Sequence, residues 1–333
     1  MPKPTMQDIA DALNTSRITV WKALNNRPGV SEALRRQIQQ KAQELGYGKA
    51  GAPAAGPAAA PARTVAVVVS RPESSLFWMQ IVHRLARELT LHGWNLMYTY
   101  LPAYGEESYA LPAALTDGSV AGIIVLNIYS EPLLRLLAAL PLPKVFLDTV
   151  PGLGQPDLHG DLLLLEGRGA LRQITGRLLD AGHTKLSFIG DAGYARTNAD
   201  RYQGFLDAHA ARGLPVDESL CLTGPFGLHT HYEEISRFLD SLAEPPGGFV
   251  CASDYIAHFI QQYYDERGIA RTAPLTGFDN NTEYSNVANR ITTVDVQTPT
   301  IGARLAYRIL FRLAYPESAC EVSYVCTRVI ERG

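Results

Sequence analysis

The chain has 333 residues, 46% hydrophobic and 19% charged, with 30 Lys+Arg against 33 Asp+Glu for a formal net charge of −3. This length exceeds one ordinary domain, and the apolar fraction supports a sizeable core, which excludes a disordered chain. No run of about 20 apolar residues occurs, so no membrane span is expected. "MPKPTMQDIA" has no basic segment leading into an apolar run, so no secretory leader is expected. Cys221, Cys251, Cys320 and Cys326 show no C-x-x-C or zinc spacing. They read as free thiols in a reducing, cytoplasmic setting, and neither a metal nor a cofactor is expected.

Charge is unevenly placed. Residues 1–49 carry eight basic and four acidic side chains, which leaves 22 basic and 29 acidic for the remainder. A small basic head on an acidic body predicts that the head alone meets a polyanion.

The head reads as three helices. "TMQDIADAL" opens with Thr5 at an N-cap and Asp8 three residues on, and Met6, Ile9, Ala10 and Leu13 share one face. Asn14 suits a tight left-handed turn, and Ser16 caps "RITVWKALNN". In that second helix Val20, Ala23 and Leu24 face inward. Arg17, Ile18, Trp21, Lys22 and Asn25 form a second face that mixes cations, an amide and apolar groups, as a DNA-groove surface does. The alternative is that Ile18 and Trp21 pack on another part of the chain. After "NNRPGVS", Ser31 caps a third helix with the stripe Val30, Leu34, Ile38, Ala42, Leu45.

Two helices around a short turn, braced by a third, make a helix-turn-helix. The T-x-x-D-I-A opening, T-V-x-K-A-L-N-N, P-G-V-S and A-x-E-L-G-Y resemble the head of the lactose/galactose repressor (LacI/GalR) family almost throughout. The resemblance implies base reading by Arg17, Ile18 and Lys22, and phosphate contacts from Thr5, Ser16, Thr19, Asn25 and Ser31. Trp21 replaces a small residue beside the DNA backbone, and Asn14 replaces a turn glycine.

Residues 49–63 form an Ala/Pro/Gly tether, so the expected domains are a head at 1–48 and a body at 64–333. The resemblance implies a P-N-x-x-A-R-x-L hinge helix here, whose Leu wedges into the minor groove. This chain lacks the P-N pair and the Leu. Pro53, Pro57 and Pro61 recur every four residues, so an extended spacer is expected in its place.

From Thr64 on, apolar strand-like runs ("TVAVVV", "AGIIVL", "KVFLD", "KLSFIG", "GFVCAS", "LTGFD", "TTVDV", "YVCTRVI") alternate with helix patterns at 76–92, 167–181, 200–211, 230–242, 254–267 and 299–314. That alternation predicts an α/β body of parallel sheets covered on both faces, with ligands at the strands' carboxyl ends. "LLDAGHTKLSFIGD", "DRYQGF", "CASDYIA", "LTGFDN" and "ITTVDVQTPTIGARLAYRIL" resemble marks of the same family's regulatory domain. The resemblance implies a two-lobed, periplasmic-binding-protein-like fold of type I, with lobe 1 at about 64–160 and 292–322 and lobe 2 at about 161–291 and 323–333. It further implies a homodimer through the 76–92 face, double-stranded operator DNA as partner, and a sugar-like effector between the lobes. "PDLHGDLLLLEGRG" departs from the family at the expected entry to lobe 2.

On that analogy Arg201 forks onto ligand oxygens and Asp279 accepts from hydroxyls, with Phe278 and Ser253 beside them; Asn127, Asp148, Phe77 and Trp78 come from the opposite lobe. The bland readings are an internal ion pair for Arg201, a dimer-facing or core place for Trp78, and a helix cap for Asp254. His229 and His231 read as solvated. No G-x-x-x-x-G-K-[ST] or G-x-S-x-G occurs, so no enzyme is expected. The competing functions are a solute-binding module with a vestigial head and an effector-blind DNA binder.

Overall fold

The computed structural model describes residues 4–24, 29–45, 47, 63–70, 75–106, 108–227 and 229–332. Asn25 and the whole of 48–62, including the expected extended tether, lie outside them. The chain divides into two compact units, 1–62 and 63–333.

In the first unit α1 is Met6–Ala12, α2 Arg17–Leu24 and α3 Glu32–Glu44. Thr5 and Asp8 form a reciprocal capping box, which satisfies two N–H groups that the first turn leaves without partners. The Thr19 N–H donates to Ser16 Oγ at 3.0 Å, and Asn14 makes the turn at φ 48°. Ile9, Ala10, Val20, Ala23, Ile38 and Ala42 are fully buried together, with Met6, Leu13, Leu24, Val30, Leu34 and Tyr47 packed around them. Leu45, expected in the third stripe, is exposed instead, and Tyr47 fills the place beyond the helix end.

In the second unit, lobe 1 is a six-stranded parallel sheet ordered β10-β5-β4-β3-β1-β2. Its strands are β1 Thr64–Val69, β2 Asn95–Tyr100, β3 Gly122–Leu126, β4 Lys144–Leu147, β5 Asp161–Leu165 and β10 Val322–Val325. Helices α4 Leu76–Leu91, α5 Glu131–Ala138, α6 Gln155–Leu158 and α11 Thr298–Ala314 cover it. Both faces of the central strands are therefore buried, as their unbroken apolar runs require.

Lobe 2 holds the parallel sheet β6-β7-β8 (Leu186–Ile189, Gly248–Cys251, Leu275–Thr276), extended at its edges by bridges Ile189–Leu222 and Thr276–Thr292. Its helices are α7 Arg168–Asp180, α8 Arg196–Ala210, α9 His231–Ser241 and α10 Asp254–Glu266. β9 Thr293–Asp295 and β11 Arg328–Ile330 form a separate antiparallel pair.

The lobe boundaries differ from those expected. The leucine run at 161–165 is a buried strand of lobe 1, paired with β4 on one side and β10 on the other. Residues 322–325 join the same sheet, while Thr292 bridges to lobe 2. The crossings therefore fall about five residues later than 160, 291 and 322. The buried Asp161 carboxylate explains how β5 tolerates a charge at its start: it accepts from the Glu321 N–H at 2.9 Å and lies 3.7 Å from Arg308.

Candidate functional site

The outer face of α2 is presented as a groove reader needs it. Ile18 is 68% and Trp21 44% exposed, so neither belongs to the head's core, and Arg17 and Ser16 stand exposed beside them. Lys22 and Thr19 are half-buried on the same helix, and Thr5 and Ser31 sit exposed at the starts of α1 and α3. Arg35 donates to the Ala23 carbonyl at 3.1 Å and ties α3 to the end of the reading helix.

In the body, the carboxyl ends of the strands of both lobes open on one cleft of about 720 Å³. Phe77, Trp78, Asn127, Asp148, Arg201, Ser253 and Asp279 all line it. Phe278 does not: it is 0% exposed and lies under Arg201, whose guanidinium carbon sits 3.7 Å from its ring centre. It supports the site from behind as a cation–π platform. Asn127, Asp148 and Asp279 adopt φ of 52°, 67° and 99°, so three residues at strand ends hold a sparsely populated backbone within the cleft.

Arg201, on α8, is held from three sides. Its Nη1 donates to the Ala252 carbonyl at 2.6 Å, its Nη2 lies 3.7 Å from Asp279, and Phe278 packs on its face. The internal ion pair and the cleft position are thus one arrangement. Burial pushes the Asp279 carboxyl up, and the Arg201 charge pulls it back.

Ser253, not Asp254, caps α10: its Oγ accepts from the Ile256 N–H. Asp254 is buried behind the cleft, accepting from the Asn281 N–H and the Thr293 hydroxyl, both at 2.7 Å, and so clips the 279–281 loop to β9. Burial raises its pKa to about 7. Between about pH 4 and 7 the native state then keeps a proton that the unfolded chain has released, so stability falls as pH rises. We expect Asp254→Asn, which resembles the protonated acid, to be more stable than the parent at pH 8 and to flatten this slope. Urea titrations at pH 5 and pH 8 check it, and a variant less stable at both contradicts it.

Two carboxylates cross the cleft. The Asp148 side chain of lobe 1 accepts from the Thr197 N–H at 3.2 Å and from the Thr197 hydroxyl, at the start of α8 in lobe 2. The Arg196 N–H donates to the Thr149 carbonyl at 2.7 Å. In return Glu283 of lobe 2 accepts from the Leu76 N–H at the start of α4 in lobe 1, at 3.1 Å. Neither helix is capped by its own N-cap side chain, since Ala195 has no acceptor and Ser75 makes no cap bond. Each lobe thus caps a helix of the other, where the helix N-terminus favours negative charge. Burial pushes the Asp148 carboxyl up, against the hydrogen bonds from Thr197 and Thr149. Asp148→Ala leaves the Thr197 and Thr149 N–H groups without this acceptor, at about 1–3 kcal/mol each. The expected result is a larger radius of gyration by solution scattering, and an unchanged scattering curve contradicts the clasp.

Several cleft residues escaped the sequence reading. Tyr129 and Tyr194 meet across the lobes with ring centres 4.4 Å apart and planes tilted by 49°, and Phe226, His231, Tyr255 and Tyr284 form a chain of ring contacts on lobe 2. His229 and His231 stand at the start of α9, as expected, with His229 exposed and His231 half-buried, and both also line the cleft. Ser70, at the end of β1, also faces it. Among the described residues no His/Cys/Asp/Glu group is arranged to hold a metal, and no helix is long and apolar enough to cross a membrane.

A helix-turn-helix head and a two-lobed α/β body with a lined interlobe cleft define a DNA-binding transcriptional regulator. Residues 5–49 match the family described as bacterial regulatory proteins, lacI family, and residues 175–333 match a periplasmic binding protein-like domain. The chain is 25% identical over 318 residues to the HTH-type transcriptional regulator CelR of Thermobifida fusca, covering 93% of this chain and 92% of that one. Its fold matches a CelR–cellobiose complex at a TM-score of 0.69 and 21% identity, over 99% of both chains. It also matches a lac repressor dimer bound to operator and an anti-inducer at a TM-score of 0.68 and 18% identity, over 99% and 98% of the two chains. The head thus carries a lacI-family DNA-binding domain, and the body carries a periplasmic-binding-protein-like domain.

Proposed function

We propose that two copies of this chain bind a pseudo-palindromic operator through the outer faces of their α2 helices, and that a small sugar-like effector in the cleft sets the affinity of that binding. The observation that carries the effector reading is a group of buried polar atoms around the cleft, Ser70 Oγ, Asn127 Nδ2 and Arg201 Nε, which have no hydrogen-bond partner among the described residues. Buried polar groups are ordinarily paired, so three unmet ones around one cleft support a ligand that meets them. CelR, similar over nearly its whole length, is known in complex with cellobiose, which supports the sugar class.

Arg17, Ile18 and Lys22 read base edges in this proposal, and Thr5, Ser16, Thr19, Trp21, Asn25 and Ser31 lie against the backbone. Coupling requires that the effector bind the two lobe arrangements with different affinity. Selection from random duplexes tests the reading. It should return a two-fold symmetric site, and Arg17→Ala should relax one position of each half-site at a cost of about 1–3 kcal/mol. Recovery of no preferred sequence contradicts it.

A further inference from the structure

We infer that the cleft selects an uncharged oligosaccharide of two or three rings and rejects phosphorylated and acidic sugars. This rests on the effector reading above and narrows it to a chemical class.

The described lining residues include four carboxylates, Asp148, Asp191, Asp279 and Glu283, against one guanidinium, Arg201, and two imidazoles, His229 and His231. That guanidinium donates to the Ala252 carbonyl and pairs with Asp279, and its buried Nε has no hydrogen-bond partner among the described residues. Three of the helix N-termini at the cleft are filled by the protein itself. Asp148 occupies the start of α8, Glu283 the start of α4, and Ser253 Oγ the start of α10. A phosphate or carboxylate entering the cleft therefore meets surplus negative charge in a desolvated space, and displaces a clasp if it takes one of these helix ends.

The remaining donors suit neutral oxygen. Ser70 Oγ and Asn127 Nδ2 lie in residues 3% and 5% exposed and have no partner among the described residues. A hydroxyl can accept from them and donate to the carboxylates that line the same space, which an anionic oxygen cannot do.

The size argument rests on aromatic surface. The rings fall into three groups: Phe77 with Trp78, Tyr129 with Tyr194, and the lobe 2 run from Phe226 through His231 and Tyr255 to Tyr284. Each brings aromatic surface to the lining, of the kind that packs on the C–H face of a sugar ring. One ring covers one such platform, whereas about 720 Å³ lies in the range that encloses a ligand of several rings.

The test is calorimetry of the full chain against neutral di- and trisaccharides of glucose, galactose and mannose, those monosaccharides, and their 6-phosphates. At least one neutral di- or trisaccharide should bind ten-fold or more tighter than its monosaccharide, and each 6-phosphate a hundred-fold or more weaker than that oligosaccharide. Asp191→Asn should raise binding of the 6-phosphates relative to the parent. A monosaccharide or a sugar phosphate as the tightest ligand overturns this inference and leaves the effector reading standing. No binding by any member of the panel overturns both.

Discussion

Arg201→Ala is expected to abolish effector binding, by a hundred-fold or more, and to destabilise the body by about 3–5 kcal/mol. The guanidinium is 5% exposed and satisfies the Ala252 carbonyl while facing Asp279. Removing one partner of a buried pair leaves the other charged and unmet, which costs far more than the pair itself contributes. The same change bares the Phe278 ring, which now packs under the guanidinium. Because the alanine variant loses stability, Asp279→Asn serves beside it. That change keeps the shape, removes the charge from the pair, and should weaken the effector with a smaller loss of stability. Urea unfolding and calorimetry separate the two effects. An alanine variant that binds effector as the parent does contradicts the placement of Arg201 in the site.

The second large effect concerns DNA. The sequence between Tyr47 and Val65 lacks the P-N pair and the wedge leucine that the family resemblance implies, and carries Pro53, Pro57 and Pro61 at four-residue spacing. Without a minor-groove wedge, affinity rests on major-groove and phosphate contacts, and each phosphate neutralised releases counterions. Operator affinity is therefore expected to fall about 10³–10⁵-fold between 50 and 200 mM salt if 6–10 phosphates are contacted. A circular-permutation assay should show no sharp central kink. Replacing 50–57 with a P-N-x-x-A-R-x-L segment should restore the kink and flatten the salt slope. A sharp kink made by the unaltered chain contradicts the wedge-free account.

The head was legible because its signals are local. Thr5 with Asp8, Ser16 with Thr19, and the apolar spacing of α1 and α2 each lie within one turn of helix, and each appears where expected. The α/β class of the body was legible from the unbroken apolar runs. Two strands were not. β2, "NLMYTY", has neither an unbroken apolar run nor a clean alternation: it is the sheet's edge, with Tyr98 and Tyr100 exposed and Thr99 buried. β5 hid in a leucine run that resembled a departure from the family and not a strand. Its register in lobe 1 depends on pairing with β10, some 160 residues away.

The cleft was half legible for the same reason. Arg201, Asp148 and Asp279 carry a motif, whereas Ser70, Tyr129, Tyr194, Glu283 and Tyr284 meet only after both lobes have folded. The reciprocal capping of α4 and α8 could not be read from sequence. A helix start with Ala195 at its N-cap looks merely weak until the other lobe brings Asp148 to it. Phe278 shows the converse error, since its motif neighbours the cleft while its ring turns into the core.

The central claim is that occupancy of the cleft changes how tightly the heads hold DNA. It is tested most directly by fluorescence anisotropy of the selected operator, titrated with and without a saturating neutral oligosaccharide. The account predicts at least a ten-fold change in operator Kd, about 1.4 kcal/mol, with the operator changing oligosaccharide affinity by the same factor. Superimposable operator titrations at saturating oligosaccharide would contradict it.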